Sequence, residues 1–231
     1  MRLKPFFSYY GGKYYLASSY PRPNYDTIIE PFAGSAQYAL YHWRKNIRLF
    51  DLDENIVMLW DYLIHVKERE ILSLDLSWDC IDDSRLSSTQ KILVGYWITQ
   101  GSSTPKKKKS SFFYINKIDW RSRVASQLRY IRHWQIEKKS FEEIEDLKGT
   151  WFVDPPYQVA GKYYRCSKID YPILSNWCLS RKGEIIVCEN DGADWLPFQS
   201  FKDARTQKNT ISKEVIYHTV QSKQLALWEN L

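Results

Sequence analysis

The sequence predicts an α/β protein built around a doubly wound, mixed sheet, and three observations support this prediction. Short apolar runs that end in acidic residues, such as 47–50 and 151–153, are typical of buried strands. Segments with apolar residues at helical spacing, such as 56–66, alternate with these runs along the chain. The chain has 231 residues, 44% of them hydrophobic, which is enough for one domain with a substantial core and a small insertion.

The composition limits the class of partner and the compartment. A formal net charge of +6 favours anionic partners, and ten Trp and 17 Tyr provide stacking surfaces as well as core. The cysteines show no spacing typical of a metal site, so we expect reduced thiols in a cytoplasmic protein and no bound metal. No apolar run approaches about 18 residues and residue 1 is not followed by a signal-peptide core, so we expect no membrane contact.

The first segment, residues 1–23, is basic and aromatic. Gly11 and Gly12 allow the backbone to bend sharply, and Lys13 then offers an ammonium that can pair with a carboxylate. A simple Gly-Gly turn with a solvated lysine is the alternative interpretation.

Residues 26–32 predict a strand that Glu30-Pro31 ends, and the small residues that follow predict a tight turn before a helix. Strand, tight turn and helix N-terminus together are typical of a nucleotide-type site, because small side chains let the backbone approach a ligand. An ordinary strand-to-helix turn is the alternative interpretation.

A second strand, 47–50, ends at Asp51-Leu52-Asp53. An acid about 20 residues after the small-residue turn can accept hydrogen bonds from ribose hydroxyls. Asp51 and, as second choice, Asp53 are the candidates, and a helix cap or loop acid is the alternative. The apolar residues of the helix that follows predict a core face.

Residues 73–133 differ in character from the rest of the chain. An irregular acidic stretch precedes a helix that Thr89 is expected to cap. A flexible basic loop follows, consisting of Lys106, Lys107, Lys108 and Lys109. A helix is then expected from Trp120 to about His133, with Arg121 and Arg123 off its apolar face. These cations either contact nucleic-acid phosphates or form a merely solvated surface.

The central strand, Trp151–Val153, runs into Asp154-Pro155-Pro156-Tyr157, where the prolines cannot continue the ladder. Asp154 and the Pro155 carbonyl then form an acceptor-only patch beside the flat ring of Tyr157. This patch suits a planar group that carries an exocyclic amine. A strand that simply ends in a proline turn is the alternative interpretation.

The remaining segments complete the alternation of strands and helices. Residues 158–165 predict a mobile loop at the mouth of the site, able to close over a base. A crossover helix is expected at 170–181, a buried strand at 183–190 and a polar connection at 194–210. A closing pair of strands is expected at 215–220 and 224–228.

Three stretches, in this order, resemble the motifs of the Dam-type adenine-specific DNA methyltransferases: Ser8–Lys13, Glu30–Ala36 and Asp154–Tyr157. The resemblance implies a Rossmann-like methyltransferase fold with S-adenosylmethionine as methyl donor and S-adenosylhomocysteine as product. It implies a catalytic domain of residues 1–72 and 134–231 and a target-recognition insert at 73–133. The family usually has a glycine where Ala36 stands, which puts the close backbone approach in question.

The resemblance also assigns roles to residues. Catalysis falls to Asp154, Pro155 and Tyr157. Cofactor binding falls to Tyr9, Tyr10, Lys13, Glu30, Phe32, Ala33, Gly34, Ser35, Asp51, Leu52 and Asp154. Contact with DNA falls to Lys106, Lys107, Lys108, Lys109, Arg121 and Arg123. The methionine end of the cofactor would lie at Tyr9 and Lys13, and Asp51 matches the ribose acid in register.

The function implied is methyl transfer to the amino group of an adenine flipped out of double-stranded DNA, as in restriction-modification. Methylation of the cytosine amino group, and a catalytically inactive DNA-binding relative, remain alternatives, and RNA as substrate is less favoured. The expected setting is the cytoplasm of a prokaryotic or phage-infected cell, with a monomer favoured.

Overall fold

The computed structural model describes residues 2–99, 101–116, 118–159, 164–166, 168–205 and 211–220. In this part of the chain one sheet has seven strands in the order β3-β2-β1-β4-β5-β7-β6. The strands are β1 Thr27–Glu30, β2 Asn46–Asp51, β3 Gln135–Lys138, β4 Gly149–Val153, β5 Gly183–Asn190, β6 Gln199–Arg205 and β7 Ile211–His218. Strands β1 to β5 pair in parallel, whereas β7 runs antiparallel to both β5 and β6. The prediction of a doubly wound, mixed sheet is confirmed.

The strand order reverses between β1 and β4. From β1 the chain proceeds outward through β2 and β3, and from β4 it proceeds in the opposite direction to β5. The carboxyl ends of β1 and β4 are therefore neighbours with diverging connections. Such a reversal opens a crevice at the carboxyl ends of the strands, where open α/β sheets bind ligands.

Seven α-helices occur in the described part of the chain, and no helix there is long and apolar enough to cross a bilayer. They are α1 Gln37–Tyr41, α2 Glu54–His65, α3 Glu68–Leu72, α4 Ser88–Trp97, α5 Ser111–Asn116, α6 Trp120–Ala125 and α7 Tyr171–Ser180. The apolar stripe predicted on α2 is core, since Ile56, Leu59, Trp60 and Leu63 are fully buried. The crossover helix and the strand at 183–190 are also confirmed.

Both faces of the sheet are covered, as a parallel sheet requires. On one face Trp151, Val153 and Val187 pack with Leu174 and Trp177 of α7. On the other face the alternate strand residues pack with α2 and with helices of the 73–133 segment. The residues that join this second core from the strands, α2 and that segment include Ile28, Leu49, Phe152, Trp60, Leu93, Trp97, Trp120 and Val124.

The segment 73–133 is attached to the rest of the protein by more than its chain ends. Trp97 Nε1 donates a hydrogen bond to the Phe6 carbonyl at 2.8 Å, and within the segment Trp97 stacks on Trp120 with ring centroids 6.0 Å apart and an interplanar angle of 5°. Arg132 donates hydrogen bonds to the carbonyls of Leu63, Ile64 and Val66 at the C-terminal end of α2. The boundaries at 72 and 134 stay predictions, and the segment shares one core with the strands.

Two predicted helix boundaries are wrong, and the reasons are local. Ser87, not Thr89, caps α4, because Gln90 completes a reciprocal capping box with it. The helix from Trp120 ends at Ala125. There the side chains of Ser126 and Gln127 hydrogen-bond the Arg123 carbonyl and compete with the helical backbone bonds.

The polar connection predicted at 194–210 is also wrong in part, because β6 lies within it. Its seven residues contain mainly polar side chains, and the hydrogen-bonded ladder to β7 makes it a strand. A strand at the sheet edge does not need the apolar pattern that marks a buried one. The predicted strand at 215–220 corresponds to β7, and its expected partner at 224–228 lies outside the described residues.

Candidate active site

A cleft opens where the sheet order reverses, between the carboxyl ends of β1, β2 and β4 and the N-terminal segment. The structure brings the predicted motifs together there, although 141 residues separate Lys13 from Asp154 in sequence. Every residue that the sequence assigns to the cofactor lines this cleft: Tyr9, Tyr10, Lys13, Glu30, Phe32, Ala33, Gly34, Ser35, Asp51, Leu52 and Asp154.

The small-residue turn after β1 forms the floor of the cleft. Gly34 has a φ of 45°, and a side chain there would press on the Tyr9 ring, which lies 3.2 Å from where a Cβ would stand. Ala36 also adopts the left-handed conformation, with φ 47° and ψ 46°. This conformation costs an alanine about 1–2 kcal/mol, so the position favours the glycine that the resembling family has there. The turn nevertheless takes the conformation with alanine in place.

Asp51 fixes this turn from the neighbouring strand. Its Oδ2 accepts a hydrogen bond from the Gly34 amide at 3.0 Å, and its Oδ1 accepts one from the Asp53 amide at 2.8 Å. Burial raises the pKa of Asp51 to about 6, and the two backbone hydrogen bonds offset part of that rise. A carboxylate in such a position can still accept hydrogen bonds from a ligand through its remaining lone pairs.

Asp53 has the capping role that was the alternative for these acids. Its Oδ1 accepts from the Asn55 amide at the start of α2 and from Arg165 Nη1, both at 3.0 Å. Its Oδ2 is buried and has no hydrogen-bond partner among the described residues. An orphaned acceptor in the lining of the cleft is suited to a donor supplied by a ligand.

Glu30 anchors the helix that follows the turn. It is 3% exposed, and its Oε1 accepts a hydrogen bond from the Ala39 amide at 2.7 Å. Burial raises the pKa of this carboxyl well above its usual range. Glu30 therefore holds α1 against the end of β1 while also lining the cleft.

Lys13 is buried in the centre of the site, so the alternative of a solvated lysine is wrong. Its Nζ lies 3.2 Å from Asp154 Oδ1, donates to the Gly11 carbonyl at 3.0 Å, and lies 4.6 Å from the centroid of the Tyr157 ring. Burial alone would lower the pKa of Lys13, but the carboxylates of Asp154 and Glu214 outweigh it and raise the pKa.

Tyr157 is held at both its ring and its hydroxyl. The hydroxyl donates to Glu214 Oε2 at 2.8 Å, while the ammonium of Lys13 approaches the ring. Burial raises the pKa of Tyr157 well above its usual range. Pro155 is buried, and Pro156 rather than Pro155 lines the cleft. The predicted use of the Pro155 carbonyl as an acceptor stays a prediction.

Sequence reasoning missed two buried carboxylates beside the Asp154–Tyr157 motif. Glu214 comes from β7, and Glu189 comes from the end of β5. Glu189 accepts from the Gln158 amide at 2.9 Å and from Trp195 Nε1 at 3.1 Å, which fixes the chain directly after Tyr157. The signal available in the sequence was an acid directly beside an apolar run, residues 185–188 for Glu189 and residues 215–217 for Glu214.

Tyr164, from the predicted mobile loop, lies across the cleft. Its ring centroid is 5.3 Å from that of Tyr10 and 6.2 Å from that of Tyr9, and its hydroxyl donates to the Tyr10 carbonyl at 3.4 Å. Residues 160–163 and 167 lie outside the described residues. Tyr164 itself lines the cleft.

The basic segment 106–109 is held against the acidic stretch that precedes α4, so the expectation of a free, flexible loop is wrong. Lys107 pairs with Asp82 at 2.7 Å, and Lys109 donates to the Leu76 carbonyl at 2.8 Å. The Ile81 amide donates to the Lys107 carbonyl at 2.9 Å. Opposite charge and backbone hydrogen bonds both order the segment.

Arg121 and Arg123 also make contacts within the protein. Arg121 Nη1 donates to the Leu74 carbonyl at 3.3 Å, and the Arg123 guanidinium lies 4.8 Å from the Trp120 ring centroid. Arg121 stays exposed, whereas Arg123 is half-buried. Their contact with DNA stays a prediction.

Comparisons with known proteins give only distant similarities. No family model and no curated protein matches the chain. Among solved structures, the chain is similar to the candidate methyltransferase yhhF of Escherichia coli, at 10% identity and a TM-score of 0.37, over 89% of this chain and 80% of that chain. It is similar to the candidate methylase HI0767 of Haemophilus influenzae, at 12% identity and a TM-score of 0.34, over 88% and 83% of the two chains.

A third similar structure is the rRNA methyltransferase aviRa of Streptomyces viridochromogenes, at 9% identity and a TM-score of 0.37, over 88% of this chain and 80% of that chain. At TM-scores this low, the fold assignment rests on the strand order and pairing of this chain.

Proposed function

We propose that this protein is an S-adenosylmethionine-dependent methyltransferase that acts on the exocyclic amino group of an adenine in double-stranded DNA. The observation that carries the proposal is the position of Asp154. This acid follows β4 at the reversal of the sheet and shares one cleft with the turn at 33–36 and with Asp51. A ligand-binding turn and an acceptor for an amine thus meet at one point.

The residues of the cleft fit the proposed cofactor. Asp51 and the orphaned Oδ2 of Asp53 provide acceptors for the two ribose hydroxyls. Phe32 and Leu52 provide apolar surface for a purine ring, and Leu52 is 45% exposed although it lines a cleft. Lys13 and the bend at Gly11 would lie toward the methionine end, as the resemblance implies.

The proposed chemistry needs positioning more than acid–base work. Bound in this cleft, the cofactor would supply an electrophilic methyl group. The attacking amine nitrogen gains a bond to the methyl carbon as the carbon–sulfur bond breaks and its electron pair stays on sulfur. Asp154 accepts hydrogen bonds from the amine and stabilises the positive charge that develops there, and it is the acceptor nearest to the proton that the amine then loses.

A base in a duplex cannot reach this cleft, because its amino group lies inside the stack. The proposal therefore includes flipping of the target base, with the ring of Tyr157 as the stacking surface. In the structure the ammonium of Lys13 lies 4.6 Å from the centroid of that ring. Capture of a base requires the lysine to move aside or to remain on the opposite face of the ring.

The test is direct. Purified protein is incubated with isotopically labelled S-adenosylmethionine and double-stranded DNA, and the nucleosides are analysed by mass spectrometry. We expect labelled N6-methyladenine, and none from Asp154→Ala, which serves as the control. Labelled N4-methylcytosine instead would establish the cytosine alternative, and label found only in RNA would move the substrate to RNA. Absence of both methyl transfer and S-adenosylhomocysteine binding would refute the proposal.

A further inference from the structure

A buried acid on β7, Glu214, contacts Tyr157 of the proposed catalytic motif. Glu214 lies on β7, where it is registered with Asn190 of β5 and with Lys202 of β6. Its side chain is 5% exposed, and its Oε2 accepts the hydrogen bond from the Tyr157 hydroxyl at 2.8 Å. No motif resemblance includes this residue, and 57 positions separate it from Tyr157.

The fold gives no reason for a carboxylate at this point. The next three residues of β7, Val215, Ile216 and Tyr217, are buried hydrophobics. Removing a carboxylate from water costs several kcal/mol unless hydrogen bonds and opposite charge compensate. Burial accordingly raises the pKa of Glu214, and the nearby ammonium of Lys13 offsets part of the rise.

The groups that compensate Glu214 belong to the candidate site. Tyr157 supplies the hydrogen bond, and Lys13 supplies the charge while it is paired with Asp154. Lys13 therefore balances the charge of two carboxylates, Asp154 and Glu214. A residue that is costly to bury, and whose partners in the described part of the chain are all in the site, is more readily explained by the site than by the core.

We propose that Glu214 is a positioning residue for this site: it fixes the ring of Tyr157 through the hydroxyl and shares the ammonium of Lys13 with Asp154. The inference rests on the proposed function. A tyrosine ring has two side-chain torsions, and a hydrogen bond at its far end to a strand of the sheet restricts both of them. Because the ring is already oriented, capture of a flipped base costs less conformational entropy.

The kinetic test compares Tyr157→Phe, Glu214→Met and the double variant. Each single change should raise the DNA KM by about tenfold or more, the size of a lost hydrogen bond to a charged group, with a smaller effect on kcat. The DNA KM of the double variant should be no higher than that of the more impaired single variant, because both changes remove the same hydrogen bond. Glu214→Gln keeps an acceptor and should recover part of the affinity. Additive losses, or an unchanged KM in Tyr157→Phe, would overturn the inference.

Glu184 provides a matched control. It is a buried glutamate of the same sheet, 2% exposed, with Asn24, Thr150 and His218 as partners. Glu184→Gln should lower the melting temperature without changing the DNA KM. A rise in KM equal to that of Glu214→Gln would mean that loss of stability, not of positioning, explains the effect.

A second measurement does not depend on activity. Acetic anhydride labels unprotonated, accessible lysines, and peptide mass spectrometry reports each of them separately. Lys13 should be protected in the wild type and become several-fold more labelled in Glu214→Gln, with exposed Lys107 unchanged. If the wild type transfers no methyl group, the proposed function fails while this result still tests the interaction of Lys13 with Glu214. Unchanged Lys13 labelling in a folded Glu214→Gln variant would refute the electrostatic influence of Glu214 on Lys13.

Discussion

The Nζ of Lys13 lies 3.2 Å from Asp154 Oδ1, which joins the first and the last of the three predicted motifs in one ion pair between a buried lysine and a partly exposed acid. The acid proposed to receive the target amine is thus already paired with a lysine. A target amine has to share Asp154 with this ammonium or displace it. Glu214 is the other carboxylate whose charge acts on the lysine, so a displaced Lys13 would not be left without a partner.

Replacement of Asp154 by alanine should remove most methyl transfer. The acid acts as charge develops on the amine, so its loss falls on the chemical step, by about two to three orders of magnitude. Affinity for S-adenosylhomocysteine and the melting temperature should change little. Single-turnover rates at saturating cofactor and DNA measure the effect. A near wild-type rate would contradict the catalytic assignment of Asp154 and favour the alternative that this strand simply ends in a proline turn.

Replacement of Lys13 by methionine should change the pH dependence of the reaction. Without the ammonium, Glu214 would lose the cation that partly offsets the effect of its burial, while the charge of Asp154 would still raise the pKa of Glu214. The acid limb of the single-turnover pH–rate profile should therefore move to higher pH in Lys13→Met than in the wild type. An unchanged acid limb would show that Lys13 acts on the cofactor alone.

The affinity for S-adenosylhomocysteine should depend on pH through Asp51. Its pKa is raised to about 6, so the carboxylate is ionised above that pH and protonated below it. Ribose hydroxyls donate best to the ionised form, so binding should weaken as the pH falls from 7 to 5. Asp51→Asn should remove this dependence and weaken binding at pH 7.5 by about 1–3 kcal/mol. Calorimetry across this pH range measures the effect. The assignment would be contradicted if the affinity of the wild type and that of Asp51→Asn changed equally with pH.

The basic segment should affect DNA binding and not cofactor binding. Changing Lys106, Lys107, Lys108 and Lys109 to alanine should weaken binding to all DNA sequences. It should also reduce the slope of log affinity against log salt by about 0.9 for each phosphate that the protein no longer neutralises.

Lys107 is paired with Asp82 and Lys109 donates to a backbone carbonyl at 2.8 Å, whereas Lys106 has only a long hydrogen bond to the Thr104 hydroxyl at 3.4 Å. We therefore expect Lys106→Ala/Lys108→Ala to account for most of the reduction in slope. Exposed Lys148, before β4 at the opposite end of the sheet, provides the control, and its alanine variant should keep the wild-type slope. An unchanged slope in the quadruple variant would show that the segment does not touch the DNA backbone.

Stability below about pH 4.5 should depend on Glu184. Burial alone would raise the pKa of Glu184, but hydrogen bonds from His218, Asn24 and Thr150 outweigh it and lower the pKa below the usual 4.5. The native state then holds its proton less tightly than the unfolded state. The stabilisation is therefore present above about pH 4.5 and is lost as the pH falls further. From pH 6 to pH 3 the melting temperature should fall less steeply for Glu184→Gln than for the wild type. Equal slopes of melting temperature against pH would contradict the assignment.

Local chemistry made much of the fold and site predictable. Asp51 and Asp154 each follow an apolar strand, and parallel strands bring their carboxyl ends to the same edge of a sheet. The strand at 183–190 was identified with its observed bounds, because a continuous apolar run ending in polar residues marks a doubly covered strand. The departure from the family glycine at Ala36 was visible in the sequence, but the left-handed conformation of this residue was not predicted.

Long-range pairing explains what could not be predicted. Tyr157 meets Glu214 because β7 lies between β5 and β6 in the sheet. No local sequence pattern indicates this long-range strand pairing. Likewise Arg132 resembles a surface cation until the helix carbonyls that it contacts are known. The cap at Ser87 is different, because Gln90 three residues later was a usable signal in the sequence.

The core shared by the sheet and the 73–133 segment limits how this molecule can be re-engineered. A new segment that replaces residues 73–133 would have to reproduce the stacked pair Trp97 and Trp120. It would also have to reproduce the apolar residues that share a core with Trp60. Excising the segment would expose to water the part of this core that the segment covers, and large exposed apolar patches promote aggregation. Changes of sequence preference are therefore better sought by point substitution on exposed positions of the segment than by exchange of the whole segment.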